Sequence, residues 1–439
     1  MKIFFITFTL IALSSCSFDN KTGIWDNNIT DTKTQKNFEG FKKLNTSKKL
    51  FDRIIKPDNN LEVILEPVKL NFSWKDEYYS NSNHLDNFSF KNLNELIFKS
   101  KKLSRFNTNN AVFYNNENVI ISDNKGNIIV YSIVNQKILI KYNFYKKKYK
   151  KIKKYLKIII EKNIIYVGDN LGYLYALDYK NQKLLWAKDY KVPFRSNLKI
   201  LKNNLLIADN NNTLYFIDKT NGEKVKTIPT EETLIKNEFI NSLSSTKDSL
   251  FYLNTYGSLY SIYFNGKIKW FVNLNQSLDI NPNNLFYSNP IILHQERLVI
   301  STDLYLYILN SNTGSTILKI PISASSQPII SDEYIFLVTK DNLLVCINVK
   351  SGKINYSIDI SDNIASYLDA KKKSINIKFL KLVNNDLFLF LNNSYLVKFT
   401  SNGRIKDIVR MPSELSSNPI FINDSIIYLD NKNKLIITN

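Results

Sequence analysis

The sequence predicts an all-β fold: an eight-bladed β-propeller of four-stranded antiparallel blades, the last blade closed by an N-terminal strand. Three observations predict it. A strand of alternating apolar residues recurs at intervals of 38 to 52 residues, about 44 on average, which is the size of one propeller blade. Polar-Gly turns follow that strand at Asn221-Gly222, Asn265-Gly266, Thr313-Gly314, Ser351-Gly352 and Asn402-Gly403. Asn-Gly between apolar runs marks a hairpin, because both residues tolerate positive φ. Aromatic content is high, with 26 Tyr and 27 Phe beside abundant Ile and Val, and this favours strands over helices.

The chain opens with a basic Met1-Lys2, and Ile3 to Leu13 is then apolar except for Thr7 and Thr9. That run is too short to span a bilayer and suits the apolar region of a signal peptide. Leu13-Ser14-Ser15-Cys16 resembles a bacterial lipobox, in which cleavage before the Cys is followed by its lipidation. Residues 1–15 are therefore expected to be a signal peptide and Cys16 the lipidated residue. The competing readings are an ordinary secretory signal with an incidental Cys16, or a buried apolar strand. Ser17 rather than Asp follows the Cys, which resembles the sorting pattern for the outer membrane. The implied location is the periplasmic face of the outer membrane, held by lipid. Residues 16–60 are mostly polar and read as the lipidated Cys and a flexible tether. Residues 61–439 remain for the propeller domain. No run of 18 or more apolar residues occurs, so no transmembrane helix is expected.

The repeated strand reads Gly126 to Ser132, Gly172 to Asp178, Asn212 to Asp218, Gly257 to Tyr263, Leu304 to Asn310, Asn342 to Asn348, Ser394 to Thr400 and Asn433 to Thr438. Upstream of it lies a second apolar strand, as in Ile164 to Asp169, Leu205 to Asp209, Leu298 to Asp303 and Tyr334 to Val338. Before that comes a short strand, opened in several units by Asn-Pro or Gln-Pro, as at Ser288 to Ile291, Ser326 to Ile329 and Ser417 to Ile420. Pro suits an edge or first strand position because it cannot donate to a ladder. A fourth strand follows the Gly turn. The eighth unit ends at Asn439 without one, and a ring must cover that edge or expose unpaired backbone. Asn92 to Leu103 is the expected donor. The alternatives are a linear solenoid, which leaves the edge open, and seven blades if the first unit is misassigned.

The formal net charge is +20, from 59 Lys and Arg against 39 Asp and Glu, yet only six residues are Arg. Nucleic-acid binders lean on Arg for bidentate contacts. Here Lys, Asn and Ile are inflated together, as AT-rich codons produce, and no nucleic-acid partner is expected. The chain has two Cys and two His. This excludes a disulfide scaffold, a zinc finger and most His-based triads. Cys346 lies in an apolar strand and reads as an inert core thiol. His84 and His294 are far apart in sequence, and neither is assigned a metal. No catalytic residue and no cofactor is expected.

Gly172 to Asp178, followed by Asn181 to Trp186, resembles the PQQ-like propeller repeat, with its Leu-Tyr-Ala-Leu-Asp strand and strand-ending Trp. Asp218 to Gly222 and Gly266 to Trp270 match parts of the same pattern. The Trp position reads Ile140, Trp186, Lys226, Trp270, Leu318, Tyr356 and Asp407. Two functional classes share this repeat. Quinoprotein dehydrogenases need a calcium site, a catalytic Asp and commonly an adjacent Cys pair; no Cys pair exists here, and the acids sit mainly at turns. With its lipobox, tether and eight repeats, the chain more closely resembles the BamB family of outer-membrane lipoproteins.

That resemblance implies a non-enzymatic scaffold of the β-barrel assembly machinery. Its implied partners are the periplasmic domains of the central barrel subunit, unfolded outer-membrane protein precursors, and the membrane through the N-terminal lipid. The alternatives are an exported propeller that binds another envelope partner or ligand, and a quinoprotein dehydrogenase. In the family an inter-blade loop with apolar residues and Arg contacts the barrel subunit. The matching segment here is Val192-Pro193-Phe194-Arg195, with Phe194 as an apolar anchor. The competing role for Arg195 is pairing with a strand-end acid. A second segment with Asp279 and Asn281 resembles another contact loop. Lys146 to Lys157 holds eight Lys in twelve positions. It is either a solvated loop or a patch drawn to anionic lipid.

Overall fold

The computed structural model describes residues 17–18, 25–26, 51–145, 149–233, 241–275, 286–369, 371 and 375–439. The chain divides into two compact units, 1–49 and 50–439. In the first, Ser17–Phe18 pairs antiparallel with Trp25–Asp26. Cys16 lies outside the described residues. None of the described helices is long and apolar enough to cross a membrane.

The second unit is built from eight four-stranded antiparallel sheets. Seven are continuous in sequence: residues 113–143, 156–189, 199–228, 242–273, 292–320, 329–359 and 377–410, called blades 1 to 7. Blade 8 takes three strands from residues 420–438 and its fourth from Leu96–Lys102. This is the predicted closure. Leu96 pairs with Thr438, Phe98 with Ile437 and Lys102 with Lys434. Glu95 and Asn439 exchange both backbone hydrogen bonds, at 3.0 and 3.2 Å. Where the ladder bulges, Ser100 Oγ accepts from Leu435 N at 2.8 Å.

Burial separates the inner strands from the outer ones. In blade 1 the first strand, Phe113–Asn115, is wholly buried, while the last, Lys137–Asn143, is mostly exposed. Blade 5 repeats this with Ile292–His294 and Thr316–Ile320. The first strands therefore face the ring axis, and the hydrophobic core lies between neighbouring blades. Each apolar cluster joins adjacent sheets, as where Leu174 and Ala176 of blade 2 meet Leu205 and Ile207 of blade 3. A strand buried on both faces reads as a continuous apolar run, which is why the second and third strands look alike in sequence.

In blades 2 to 6 the Trp position docks the blade on the Gly turn of the next. Trp186 lies against Gly222 and donates its Nε1 proton to Lys219 O at 3.0 Å. Trp270 does the same at Gly314, donating to Ser311 O at 3.1 Å. The substitutes keep the contact. Lys226 covers Gly266 and donates to its carbonyl at 2.9 Å, Tyr356 reaches Ser401 O at 2.8 Å, and Leu318 packs on Gly352 without a hydrogen bond. The position needs reach to cover the next turn, and a terminal donor adds a hydrogen bond.

Two features differ from the expectation. Ile55 exchanges both backbone hydrogen bonds with Ser357 of blade 6, at 2.8 and 2.9 Å. The chain thus joins the ring before residue 61, and residues 51–60 are not a free tether. A helix, Ile360–Tyr367, links blades 6 and 7, with Asp359 as its N-cap accepting from Asp362 N at 3.0 Å. Ile360 and Ile364 at i, i+4 give it one apolar edge.

Candidate functional site: the ring axis and its rim

Residues 66–91 form no regular strand, yet they bond to the inner strand, or the turn beside it, of every blade. Trp74 exchanges both backbone bonds with Tyr114 of blade 1, and Ile160 of blade 2 donates to Lys75 O. Lys199 of blade 3 donates to Asp76 Oδ2 and Ser80 O, both at 2.7 Å. Ser245 of blade 4 donates to Asn81 O, and Leu293 of blade 5 to Ser82 O. Glu66 N donates to Ser331 Oγ of blade 6 at 2.9 Å. Phe88 N donates to Leu382 O of blade 7, and Asn71 Nδ2 to Phe421 O of blade 8. Only a segment lying on the axis meets all eight inner strands.

The segment has two halves. Trp74, Leu85, Phe88 and Phe90 are buried with inner-strand residues of blades 7, 8 and 1. The Phe88 and Phe421 rings stack at 5.5 Å, and Trp74 tilts against Tyr79 at 4.6 Å. Toward blades 2 to 6 the segment is polar. Asn83 Nδ2 donates to Leu243 O and Ile291 O at 2.9 and 2.7 Å. Asp76 and Lys199 are both buried. Burial pushes the Asp76 carboxyl up and the Lys199 ammonium down from their usual values, and their mutual attraction opposes both shifts.

The two histidines of the chain meet here, although 210 positions separate them. Their rings lie 4.5 Å apart, tilted by 38°. His84 Nε2 is 3.2 Å from Glu66 Oε2, and His294 Nε2 is 3.5 Å from Glu66 Oε1. One ligand atom from each of the three lies within 4.8 Å of the other two. Asp86 Oδ1 stands 3.8 Å from His84 Nε2. In the sequence the two histidines read as unrelated. Folding brings them together because His84 rides on the axial segment and His294 ends the inner strand of blade 5. The signal that was missed is the aromatic-rich stretch Trp74, Tyr78, Tyr79, Phe88 and Phe90, which precedes the first repeat without period-two alternation.

The inter-blade loop singled out in the sequence lies between blades 2 and 3. Val192 is half-buried, and Lys191 and Pro193 are exposed. Phe194 is buried, edge-on to Tyr190 at 5.4 Å and Tyr215 at 6.1 Å. Its amide donates to Asp169 O at 3.0 Å. Arg195 is also buried, and its amide donates to Ala208 O at 2.9 Å. Burial lowers the Arg195 guanidinium from its usual value, while Tyr252 and Asp209 favour its charge. Phe194 is thus a packing residue, and Arg195 sits by the strand-end acid Asp209. Asp279 and Asn281 lie outside the described residues.

The strand-end acids do turn chemistry. Asp169 Oδ1 accepts from Leu171 N and Tyr173 N, both at 2.8 Å, and Asp209 and Asp430 repeat the pattern. The lysine run is divided. Lys157 pairs with Glu77 at 3.0 Å, and the buried Lys154 donates to Tyr149 O, while Lys150, Lys151 and Lys153 face solvent. Lys146, Lys147 and Lys148 are outside the described residues. Cys346 is buried in blade 6, and burial pushes its thiol up to about 12.

A family model described as outer membrane protein assembly factor BamB matches residues 154–358. The structure of BamB from Moraxella catarrhalis superposes with a TM-score of 0.60 at 12% identity, covering 77% of this chain and 99% of that one. The ring shares the propeller fold of BamB. Two dehydrogenases share its architecture. A europium-containing methanol dehydrogenase gives a TM-score of 0.59 at 11% identity over 83% of this chain and 89% of that one. The quinohemoprotein alcohol dehydrogenase of Comamonas testosteroni gives 0.61 at 10% over 83% and 80%. No curated protein matches. The axial residues of this ring do not fit a quinone cofactor. Trp74 and Phe88 fill the apolar side of the axis, and Asp76, one of the acids on the segment, is committed to Lys199.

Proposed function

We propose that the chain is a lipid-anchored, non-enzymatic scaffold of the outer-membrane β-barrel assembly machinery, with Cys16 as its anchor. It would bind the periplasmic domains of the central barrel subunit and help insert β-barrel precursors. One observation carries the reading: a closed ring of the BamB type keeps its own residues 66–91 on the axis. What such a ring offers a partner is its rim, where loops sit on a rigid frame. The loop after blade 2 presents Lys191, Val192 and Pro193, and the buried Phe194 and Arg195 hold it in place. In this proposal Phe194 and Arg195 act by positioning. The segment with Asp279 and Asn281 is a second candidate contact.

A pull-down from envelope extract tests the proposal. Recovery of the central barrel subunit, weakened by Val192→Asp, supports it. Recovery of a different envelope protein alone replaces it with an exported propeller serving another partner. Dehydrogenase turnover on adding quinone and calcium would overturn the non-enzymatic reading. Replacing Cys16 by Ser should move the protein from the membrane fraction to the soluble fraction.

A further inference from the structure

The Glu66, His84 and His294 cluster has the chemistry of a metal centre rather than of a packed core. Two imidazoles and a carboxylate are a ligand set for borderline first-row divalent cations, zinc above all, whereas calcium and magnesium take oxygen ligands. His294 Nε2 is buried and makes no hydrogen bond. It faces Glu66 Oε1 at 3.5 Å, too far for a hydrogen bond. A buried polar atom aimed at a carboxylate across such a gap costs free energy unless something fills the space.

The backbones of all three residues are already held. Glu66 N donates to Ser331 Oγ at 2.9 Å, and its carbonyl accepts from Asn87 Nδ2 at 2.8 Å. The carbonyl of His84 accepts from Ser80 Oγ at 3.1 Å. His294 is fixed in the inner-strand ladder opposite Arg297. The side chain of Glu66 is about a third exposed (31%) and leaves an entry path, while the two histidines are largely buried. Asp86 stands beside His84 and is itself oriented by the Tyr79 hydroxyl at 2.5 Å and Lys69 at 2.6 Å. Its Oδ1 stands 3.8 Å from the same His84 nitrogen that faces Glu66, so it is placed to share an ion bound there.

We propose that Glu66, His84 and His294 bind one divalent transition-metal ion, zinc by preference, with Asp86 as a fourth ligand. The ion would staple the axial segment to blade 5. Glu66 comes from the start of that segment, His84 from its middle and His294 from the ring, so binding closes a loop across separate elements. Ligand chemistry alone supports the site, and it stands or falls independently of the partner proposed above.

The test uses the full chain without a histidine tag, stripped of metal and titrated with Zn²⁺ by calorimetry and with Co²⁺ by visible absorption. The expected result is one ion per chain, ligand-field bands from Co²⁺, and slower amide exchange over residues 80–87. His294→Ala and Glu66→Gln should each weaken binding by at least tenfold, matching or exceeding the loss from removing an outer-shell partner. Far-UV circular dichroism of both variants checks that the ring still folds. Absence of stoichiometric binding at micromolar protein, or binding unchanged in the folded Glu66→Gln variant, overturns the proposal.

Discussion

Replacing Gly222 by Ala tests the blade-docking contact. Gly222 has φ of +74°, in the left-handed region. An Ala there costs about 1–2 kcal/mol in backbone strain. Its Cβ would also fall 2.5 Å from Cε3 of Trp186. That ring is held by its Nε1 bond to Lys219 O and by the blade interface, so it must shift. Overpacking of this kind costs about 1–3 kcal/mol. The sum is about 2–5 kcal/mol, which is about 0.7–1.7 M in urea midpoint for an m-value of about 3 kcal/mol/M. The assay is urea unfolding followed by far-UV circular dichroism, repeated in a Trp186→Leu background. Removing the indole should remove the steric part and leave only the backbone part, about 1–2 kcal/mol. Equal costs in the two backgrounds would refute the contact. A cost below about 0.5 kcal/mol in both would refute the backbone argument too.

Other outcomes follow from particular groups. Ser100→Ala leaves the Leu435 amide without its acceptor and should cost about 1–3 kcal/mol, with faster exchange at that amide, because it weakens the strand that closes the ring. Lys381 is fully buried above the Trp74 ring, and burial holds its ammonium down to about 7. The unfolded chain binds that proton up to about pH 10.4, so between these values stability rises with pH, and below about 7 the penalty is complete. Lys381→Met should therefore raise stability at pH 6, by at most about 5 kcal/mol, and the gain should fade toward pH 10.5; a gain independent of pH would refute the assignment. In a Cys16→Ser background, maleimide should label Cys346 only after denaturation, since the thiol is buried and its ionisation suppressed.

Much of the ring was legible because its information is local and repeated. The polar-Gly turn after the third strand of five units marks a hairpin whatever the rest of the chain does. Eight copies in register also made the missing fourth strand conspicuous, and with it the role of Leu96–Lys102. The docking residue was legible as a position, although Trp186, Lys226 and Tyr356 reach the next turn with different chemistry.

The axis was not legible. Residues 66–91 have no period, because their bonds are spread over all eight blades. The proximity of His84 and His294 exists only after the ring closes, since it depends on which inner strand the segment passes. Burial decided the rim in the same way. Phe194 reads as an anchor in sequence, and it became a packing residue because Tyr190 and Tyr215 close over it from two blades. Local pattern determined the strands, turns and blade count. Contacts between residues hundreds of positions apart decided what lies on the axis and which loop residues face solvent, and such contacts leave no periodic trace in a single chain.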